Sequence, residues 1–316
     1  MPWTVDEKRV LSRDGTAIAC QAVGAGPVLL LASGLVGSRG VWKHLHAFLS
    51  DRVRMVSWDY RGLYGSATPG DLSRLRVEDH VDDALAVLDG EGAASAILVG
   101  WSMGVQINFE IYRRAPERVR AIVAICGTYG RPFETLFNWK ASGTIIPVAA
   151  VALSDRPAAV SWLGRRIASW PALIALARLA GLVGPGLDEE AFLALAGDFG
   201  GLDPRMFGAV AREMGRHDAT DLLTSVGVPV LIIAGSADVL IPSRVAEKMA
   251  RRIPGAELTI VPGGTSFVPL EHPELVNLRI EKFLCDHGLL EAGSRASRRP
   301  LRAGTTHGAA TKEEPR

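Results

Sequence analysis

The chain of 316 residues is 48% hydrophobic and 22% charged, a composition that supports a large buried core and excludes disorder over most of its length. Lys and Arg number 35 against 34 Asp and Glu, a formal charge of +1, so no basic field exists to attract nucleic-acid phosphates or acidic membranes. The three cysteines, Cys20, Cys126 and Cys285, are far apart and form neither a CxxC pair nor a Cys/His cluster, which argues against a disulfide framework and a zinc site; no metal or other cofactor is implied.

Met1-Pro2-Trp3-Thr4-Val5-Asp6-Glu7-Lys8-Arg9 lacks the basic-then-apolar order of a signal peptide, so a cytoplasmic protein is expected. Residues 7–11 and 17–22, separated by Ser12-Arg13-Asp14-Gly15, predict an antiparallel hairpin. Residues 27–32 are a continuous apolar run, the mark of a strand buried on both faces. A helix is expected over 41–49, a short strand over 54–58, and a helix over 77–88 with Val77, Val81, Leu85 and Leu88 on one face. A buried strand over 95–99, a helix over 105–114 and a strand over 121–126 follow. Strands alternating with helices require crossovers between parallel neighbours, so the chain reads as an α/β fold with an antiparallel start.

From 131 to about 221 the alternation stops. This segment is helical and apolar, carries Trp139, Trp162 and Trp170, has turn signals at 181–186 and 200–204, and reads as an inserted helical cap. The sheet pattern resumes at 228–234 and 257–261, and a helix over 273–286 closes the fold. The organisation is therefore a core of residues 1–130 and 222–290 and a cap of 131–221. The Arg-, Gly-, Ala- and Thr-rich tail of 291–316 has little to bury and is expected to be disordered. The most apolar stretches, 145–153 and 171–184, are shorter than the roughly 20 residues of a spanning helix, and the second carries Arg178, so no membrane span is expected.

Gly100-Trp101-Ser102-Met103-Gly104 lies between the strand 95–99 and the helix that begins near Val105. A GxSxG string alone is a weak signal, and its bland alternative is a Gly-rich turn with an incidental serine. The position is that of a nucleophile elbow. Two glycines let the backbone turn tightly, Ser102 stands exposed at the head of the sheet, and the helix start offers the Met103 amide to an oxyanion.

With this elbow the chain resembles the α/β-hydrolase family over about residues 7–284. Leu29-Leu30-Leu31-Ala32-Ser33-Gly34-Leu35 is similar to the family's strand and His-Gly segment, which implies the Leu35 amide as the second oxyanion donor, with Ser33 where the histidine usually stands. Asp59-Tyr60-Arg61-Gly62 with Gly65-Ser66 resembles the family's Asp-x-Arg-Gly turn. Ile232-Ile233-Ala234-Gly235-Ser236-Ala237-Asp238 with Pro242 resembles the strand end that bears the triad acid, which implies Asp238; by itself Asp238 also reads as a turn-forming residue. The resemblance implies an α/β-hydrolase fold, a mostly parallel eight-stranded sheet with an inserted helical cap, and an esterase-like serine hydrolase.

The closing motif departs from the family. Its general-base histidine would fall within Pro262-Gly263-Gly264-Thr265-Ser266-Phe267-Val268-Pro269-Leu270-Glu271-His272-Pro273, and Ser266 stands at its position. A serine hydroxyl is no base near pH 7, and loss of a triad member in dissected serine proteases leaves only about 10³–10⁴-fold over water. His272, six residues on, is the substitute base to consider. His44, His46, His80 and His217 read as structural, and His287 and His307 lie near or in the tail.

The apolar cap, with Trp139, and the aromatic residues Trp101 and Phe267 beside the motifs suggest contacts to a small lipophilic substrate; cap side chains must equally pack onto the sheet. A dinucleotide site at Gly34-Leu35-Val36-Gly37-Ser38-Arg39-Gly40 fails on glycine spacing, and a dehalogenase or epoxide hydrolase of this fold would want Asp at position 102. Two readings stand. One is a serine hydrolase acting on a lipophilic carboxylic ester or lactone, impaired by the missing histidine; the other is a catalytically silent pseudo-hydrolase that binds a lipophilic small molecule. Neither a nucleic-acid nor a membrane partner is expected, and nothing in the sequence speaks to oligomeric state.

Overall fold

The computed structural model describes residues 4–134, 164, 166, 170 and 172–291. Eight strands form one sheet in the order β1-β2-β4-β3-β5-β6-β7-β8. The hairpin β1 (Val5–Leu11) and β2 (Ala17–Val23) pairs antiparallel, from Val5 opposite Val23 to Leu11 opposite Ala17, and β2 runs antiparallel to β4 (Arg54–Trp58). All other neighbours are parallel: β3 (Val28–Ala32), β5 (Ala96–Trp101), β6 (Val119–Ile125), β7 (Val230–Gly235) and β8 (Glu257–Val261).

The central strands are apolar on both faces because both faces are covered. Leu30, Leu98, Ile122 and Ile232 point into one core, and Leu29, Leu31, Val99, Val123 and Ile233 into the other, the alternation a period of two residues imposes. The helices of the core are α1 (Lys43–Leu49), α2 (Val77–Gly90) and α3 (Met103–Arg114). Between β6 and β7 lie α4 (Leu173–Leu179), α5 (Glu189–Gly200) and α6 (Pro204–Arg216), of which α5 and α6 start on the side-chain caps Asp188 and Asp203. The chain then adds α7 (Ser243–Arg252), the single turn α8 (Val268–Glu271) and α9 (Pro273–Asp286). Through Leu231, Ile280, Phe283 and Leu284 the last helix shares a core with β7.

Three boundaries differ from the sequence expectation. The strand expected to end at 99 continues to Trp101 and the helix expected from 105 begins at Met103, which concentrates the whole reversal on Ser102. The helix expected over 41–49 opens as a tight 3-10 turn, Arg39–Trp42, capped by the Ser38 hydroxyl. Helix α7 is not marked by the hydrophobic pattern. The expected cap residues Trp139 and Trp162 and the tail from 292 onward lie outside the described residues. Among the described residues, no helix is long and apolar enough to cross a membrane.

Candidate active site

Strand β5 and helix α3 meet at Ser102, whose backbone sits at φ 54° and ψ −116°. This left-handed conformation stores strain of about 1–3 kcal/mol in a residue with a Cβ, and it persists only where the surroundings impose it. A Cβ added to Gly100 would lie 2.6 Å from the carbonyl of Gly104, and one added to Gly104 would lie 2.0 Å from the carbonyl oxygen of Ala32 in β3. Glycine at both positions is what lets α3 press onto the sheet immediately after the reversal. The Ser102 amide donates to the Ile125 carbonyl at 3.0 Å, and the side chain is left partly exposed.

Ala32 at the end of β3 pairs with Gly100, so Ser33-Gly34-Leu35 passes beside the elbow. A Cβ on Gly34 would lie 3.1 Å from that of Ser102. Buried Ser33 anchors the loop: the Trp42 indole N–H donates to its hydroxyl at 3.0 Å, and the Tyr60 hydroxyl donates to its carbonyl. Neither the Leu35 nor the Met103 amide donates to a backbone carbonyl among the described residues.

Asp238 stands three residues past β7, with Oδ1 accepting the amides of Leu240 at 2.9 Å and Ile241 at 2.8 Å. Ser266, in the loop after β8, places its hydroxyl 2.7 Å from both Asp238 carboxylate oxygens. Both residues are buried, at 6% and 5% exposure. Burial pushes the Asp238 carboxyl above its ordinary range, opposed by the hydrogen bonds from Ile241, Ser266 and Leu240. The two loops touch at backbone level, since Ala237 donates to the Gly264 carbonyl at 2.9 Å and a Cβ on Gly235 would lie 2.2 Å from that same oxygen.

Aromatic rings pack against the Ser266 loop. The Trp101 indole N–H donates to the Ser266 carbonyl at 2.7 Å, while its ring lies under the loop after β3, 2.2 Å from where a Gly37 Cβ would be. At 1% exposure Trp101 braces both loops from beneath. Phe267 is only partly covered, with its ring 5.6 Å from that of Trp101 and 5.3 Å from that of Phe192 in α5.

Sequence reasoning missed Glu271. This buried carboxylate accepts the Thr265 amide at 2.8 Å, the Thr265 hydroxyl at 2.6 Å and the Gly184 amide at 2.6 Å, fastening the Ser266 loop to the segment before α5. The available signal was an acid in the last turn before a helix-opening Pro273. Cys126, named in the sequence as one of three separate cysteines, follows β6 at φ 41°, and its buried thiol meets the Thr265 carbonyl at 3.5 Å. Burial raises that thiol well above its ordinary value, so it is not a ready nucleophile.

Among the described residues, no histidine is hydrogen-bonded to Asp238. His272, at the junction of α8 and α9, lines a cleft with Thr259, Leu275, Leu278 and Lys282, and the described partners of Asp238 do not include it. His217 is held by Glu110 at 2.8 Å and Gln106 at 3.1 Å, His44 by Asp188 at 2.9 Å, and His287 by Glu257 at 2.9 Å. Burial pulls His80 down to about 3 and His46 to about 4. His307 lies outside the described residues. Among the described residues, the side chain that meets the Asp238 carboxylate is therefore the Ser266 hydroxyl, a group that donates but does not accept a proton near neutrality.

The family model for the alpha/beta hydrolase family matches residues 29–278. A 2-(acetamidomethylene)succinate hydrolase of Mesorhizobium japonicum is 27% identical over 264 residues, covering 83% of this chain and 89% of its own. The putative carbamate hydrolase RutD of Azorhizobium caulinodans is 27% identical over 261 residues, covering 80% of this chain and 89% of its own. Among solved structures, a thermophilic esterase from Thermogutta terrifontis superposes with a TM-score of 0.72 at 21% identity, over 89% of this chain and 99% of that one. The carboxylesterase CesB from Bacillus subtilis gives 0.70 at 24% identity, over 90% and 93%. At these identities the structural likeness establishes the fold.

Proposed function

The chain belongs to the alpha/beta hydrolase family, and from that premise we propose that it is an esterase-like serine hydrolase whose nucleophile is Ser102 and whose turnover is limited by the serine at position 266. The observation that carries the nucleophile is the strained backbone of Ser102 at the head of β5, where the chain turns directly into α3. Ser102 Oγ adds to an acyl carbonyl, and the carbonyl oxygen gathers charge between the Leu35 and Met103 amides. Collapse then expels the alcohol and leaves an acyl-enzyme that water cleaves. Asp238 is the acid of the site, and the histidine it would orient is replaced by Ser266. The proposed substrate is a lipophilic carboxylic ester or lactone held by Phe267 and by the helices between β6 and β7, which we read as a cap; Trp101 supports Phe267 from below, and Trp139, expected to join them, lies outside the described residues. The names of the two curated relatives support hydrolysis as the reaction class.

The test is turnover of p-nitrophenyl butyrate by the protein beside Ser266→His and Ser102→Ala. A positioned general base contributes about 10²–10⁴-fold, so Ser266→His gains within that range and Ser102→Ala removes whatever the protein itself turns over. Should Ser266→His gain nothing and Ser102 resist a serine-directed phosphonate, Ser102 is not a nucleophile. The second reading, a pseudo-hydrolase that binds its ligand without turnover, is favoured by the Ser266 hydroxyl engaging both oxygens of Asp238; it predicts ligand binding with no acyl-enzyme in mass spectra.

A further inference from the structure

The Asp238–Ser266 pair is a polar site built inside the protein. Both amides that reach Asp238 go to Oδ1, the Ser266 hydroxyl proton is shared between the two oxygens, and the buried Cys126 thiol also reaches the carboxylate. A carboxylate offers about four lone-pair positions, so an N–H donor is still welcome at Oδ2, and the low local dielectric makes such a contact strong. The neighbours of the pair are flat: Phe267 follows Ser266 in the chain, the Trp101 ring lies 5.6 Å from it, and Phe192 closes on its other side. Aromatic faces beside a buried anion suit a planar cation. Ser102 is one residue from these contacts, because Trp101 precedes it and donates to the Ser266 carbonyl at 2.7 Å. Among the described residues no histidine is hydrogen-bonded to Asp238, and residues 135–171 contain none.

We propose that the Asp238–Ser266 pair binds a planar nitrogen base belonging to the ligand, an imidazole-like ring that donates one N–H to the pair and presents its second nitrogen to Ser102. This rests on the reading of Ser102 as nucleophile and narrows its substrate. The neutral nitrogen takes the Ser102 hydroxyl proton as the Oγ–C bond forms and the carbonyl π pair moves onto oxygen. The C–O bond to the alcohol then breaks and the alkoxide takes that proton. In the second half, water gives a proton to the same nitrogen as its oxygen adds to the acyl carbon, and Ser102 leaves with the proton returned. The base must still be present after the alcohol departs, so the ring belongs on the acid portion of the ester. The substrate class is therefore esters of acids that carry an imidazole-like ring. Free imidazole can fill the same place.

Two arms separate these sources. In the first, full-length protein turns over p-nitrophenyl butyrate while imidazole is titrated. The expected result is saturable activation of about 10²-fold, the lower end for a positioned base. It disappears in Asp238→Asn, and it fails with N-methylimidazole, which keeps a basic nitrogen but has no N–H to give. The second arm compares the p-nitrophenyl esters of 3-(imidazol-4-yl)propionate and 3-phenylpropionate without added base, each corrected for spontaneous hydrolysis and for Ser102→Ala; the imidazole ester is expected to be turned over faster by a similar factor. Saturation in the first arm with equal rates in the second leaves a site for free base and overturns the substrate class. Activation linear in imidazole and matched by N-methylimidazole overturns the site, in a comparison that needs no variant to fold. If Ser266→His gains Ser102-dependent turnover while imidazole does nothing, the nucleophile stands and this inference alone falls.

Discussion

In the function proposed for this site, the side chain at position 266 decides whether the Ser102 proton has anywhere to go. An imidazole titrates near 6.5, whereas a hydroxyl stays protonated throughout the range in which the protein is folded. Ser266→His is thus expected to add a limb to the pH–rate profile that rises through about pH 6–7, set by a histidine leaning on Asp238, and the unsubstituted protein lacks that limb. A profile identical in both proteins would show that residue 266 does not handle the proton. The native histidines speak to stability instead. His80 and His46 are held neutral by burial, at about 3 and about 4, below the 6.5 of an unfolded chain. Below pH 6.5 the unfolded state binds protons that the folded state refuses, so their contribution is complete above that pH and falls away as pH drops toward 4. Between pH 6.5 and 4.5 the protein is expected to lose about 2–4 kcal/mol, measured as a falling urea midpoint, and His80→Gln is expected to flatten that slope.

For the elements, the reversal from β5 to α3 works only while nothing stands between α3 and β3. A methyl at Gly104 would sit 2.0 Å from a backbone oxygen of β3, which has no rotamer to change. Gly104→Ala is therefore expected to destabilise by about 3 kcal/mol, the upper end for overpacking, and to slow phosphonate labelling of Ser102 as the helix start shifts. Equal urea midpoints for the two proteins would show that α3 can lift without penalty. This elbow was legible because glycines and an apolar strand are local signals, and Glu257–Val261 and Pro273–Asp286 matched to the residue because each is bounded by turn residues or proline. Helix α7 was not legible: Val245, Ala246 and Met249 are its buried residues, a stripe too thin among Arg244, Glu247, Lys248, Arg251 and Arg252 to stand out. Glu271 escaped for another reason, since its partners Thr265 and Gly184 are supplied by different loops and only the fold shows that the acid is buried. Asp238 and Ser266 could be named from the motif resemblance, but their mutual hydrogen bond is a tertiary fact.

Across the whole molecule, the parallel half of the sheet holds the site and the antiparallel hairpin β1–β2 has to be tied to it. Arg61, in the turn after β4 and fully buried, makes that tie: it bonds Asp83 of α2 through two nitrogens at 2.8 and 2.5 Å, Asp14 of the hairpin turn at 2.9 Å, and the Ser12 hydroxyl at 3.1 Å. Burial opposes the Arg61 charge, and the paired carboxylates outweigh it, so the guanidinium remains charged. Removing Asp83 takes away two of the bonds to a fully buried guanidinium and leaves Asp14 as its carboxylate partner. Asp83→Ala is therefore expected to cost about 3–5 kcal/mol, whereas Arg61→Met combined with Asp83→Leu, which removes both charges and keeps volume, is expected to cost less than Asp83→Ala alone. Urea midpoints of the two variants decide it, and a double variant less stable than Asp83→Ala would mean that the ion pair is worth more than the apolar packing that replaces it. Because this network touches neither Ser102 nor Asp238, phosphonate labelling of the folded fraction is expected to stay unchanged in both proteins. A loss of labelling in the folded double variant would instead place the hairpin in mechanical contact with the active-site loops, through Asp59 and Tyr60, the two residues immediately before Arg61, of which Tyr60 already holds the Ser33 carbonyl beside the elbow.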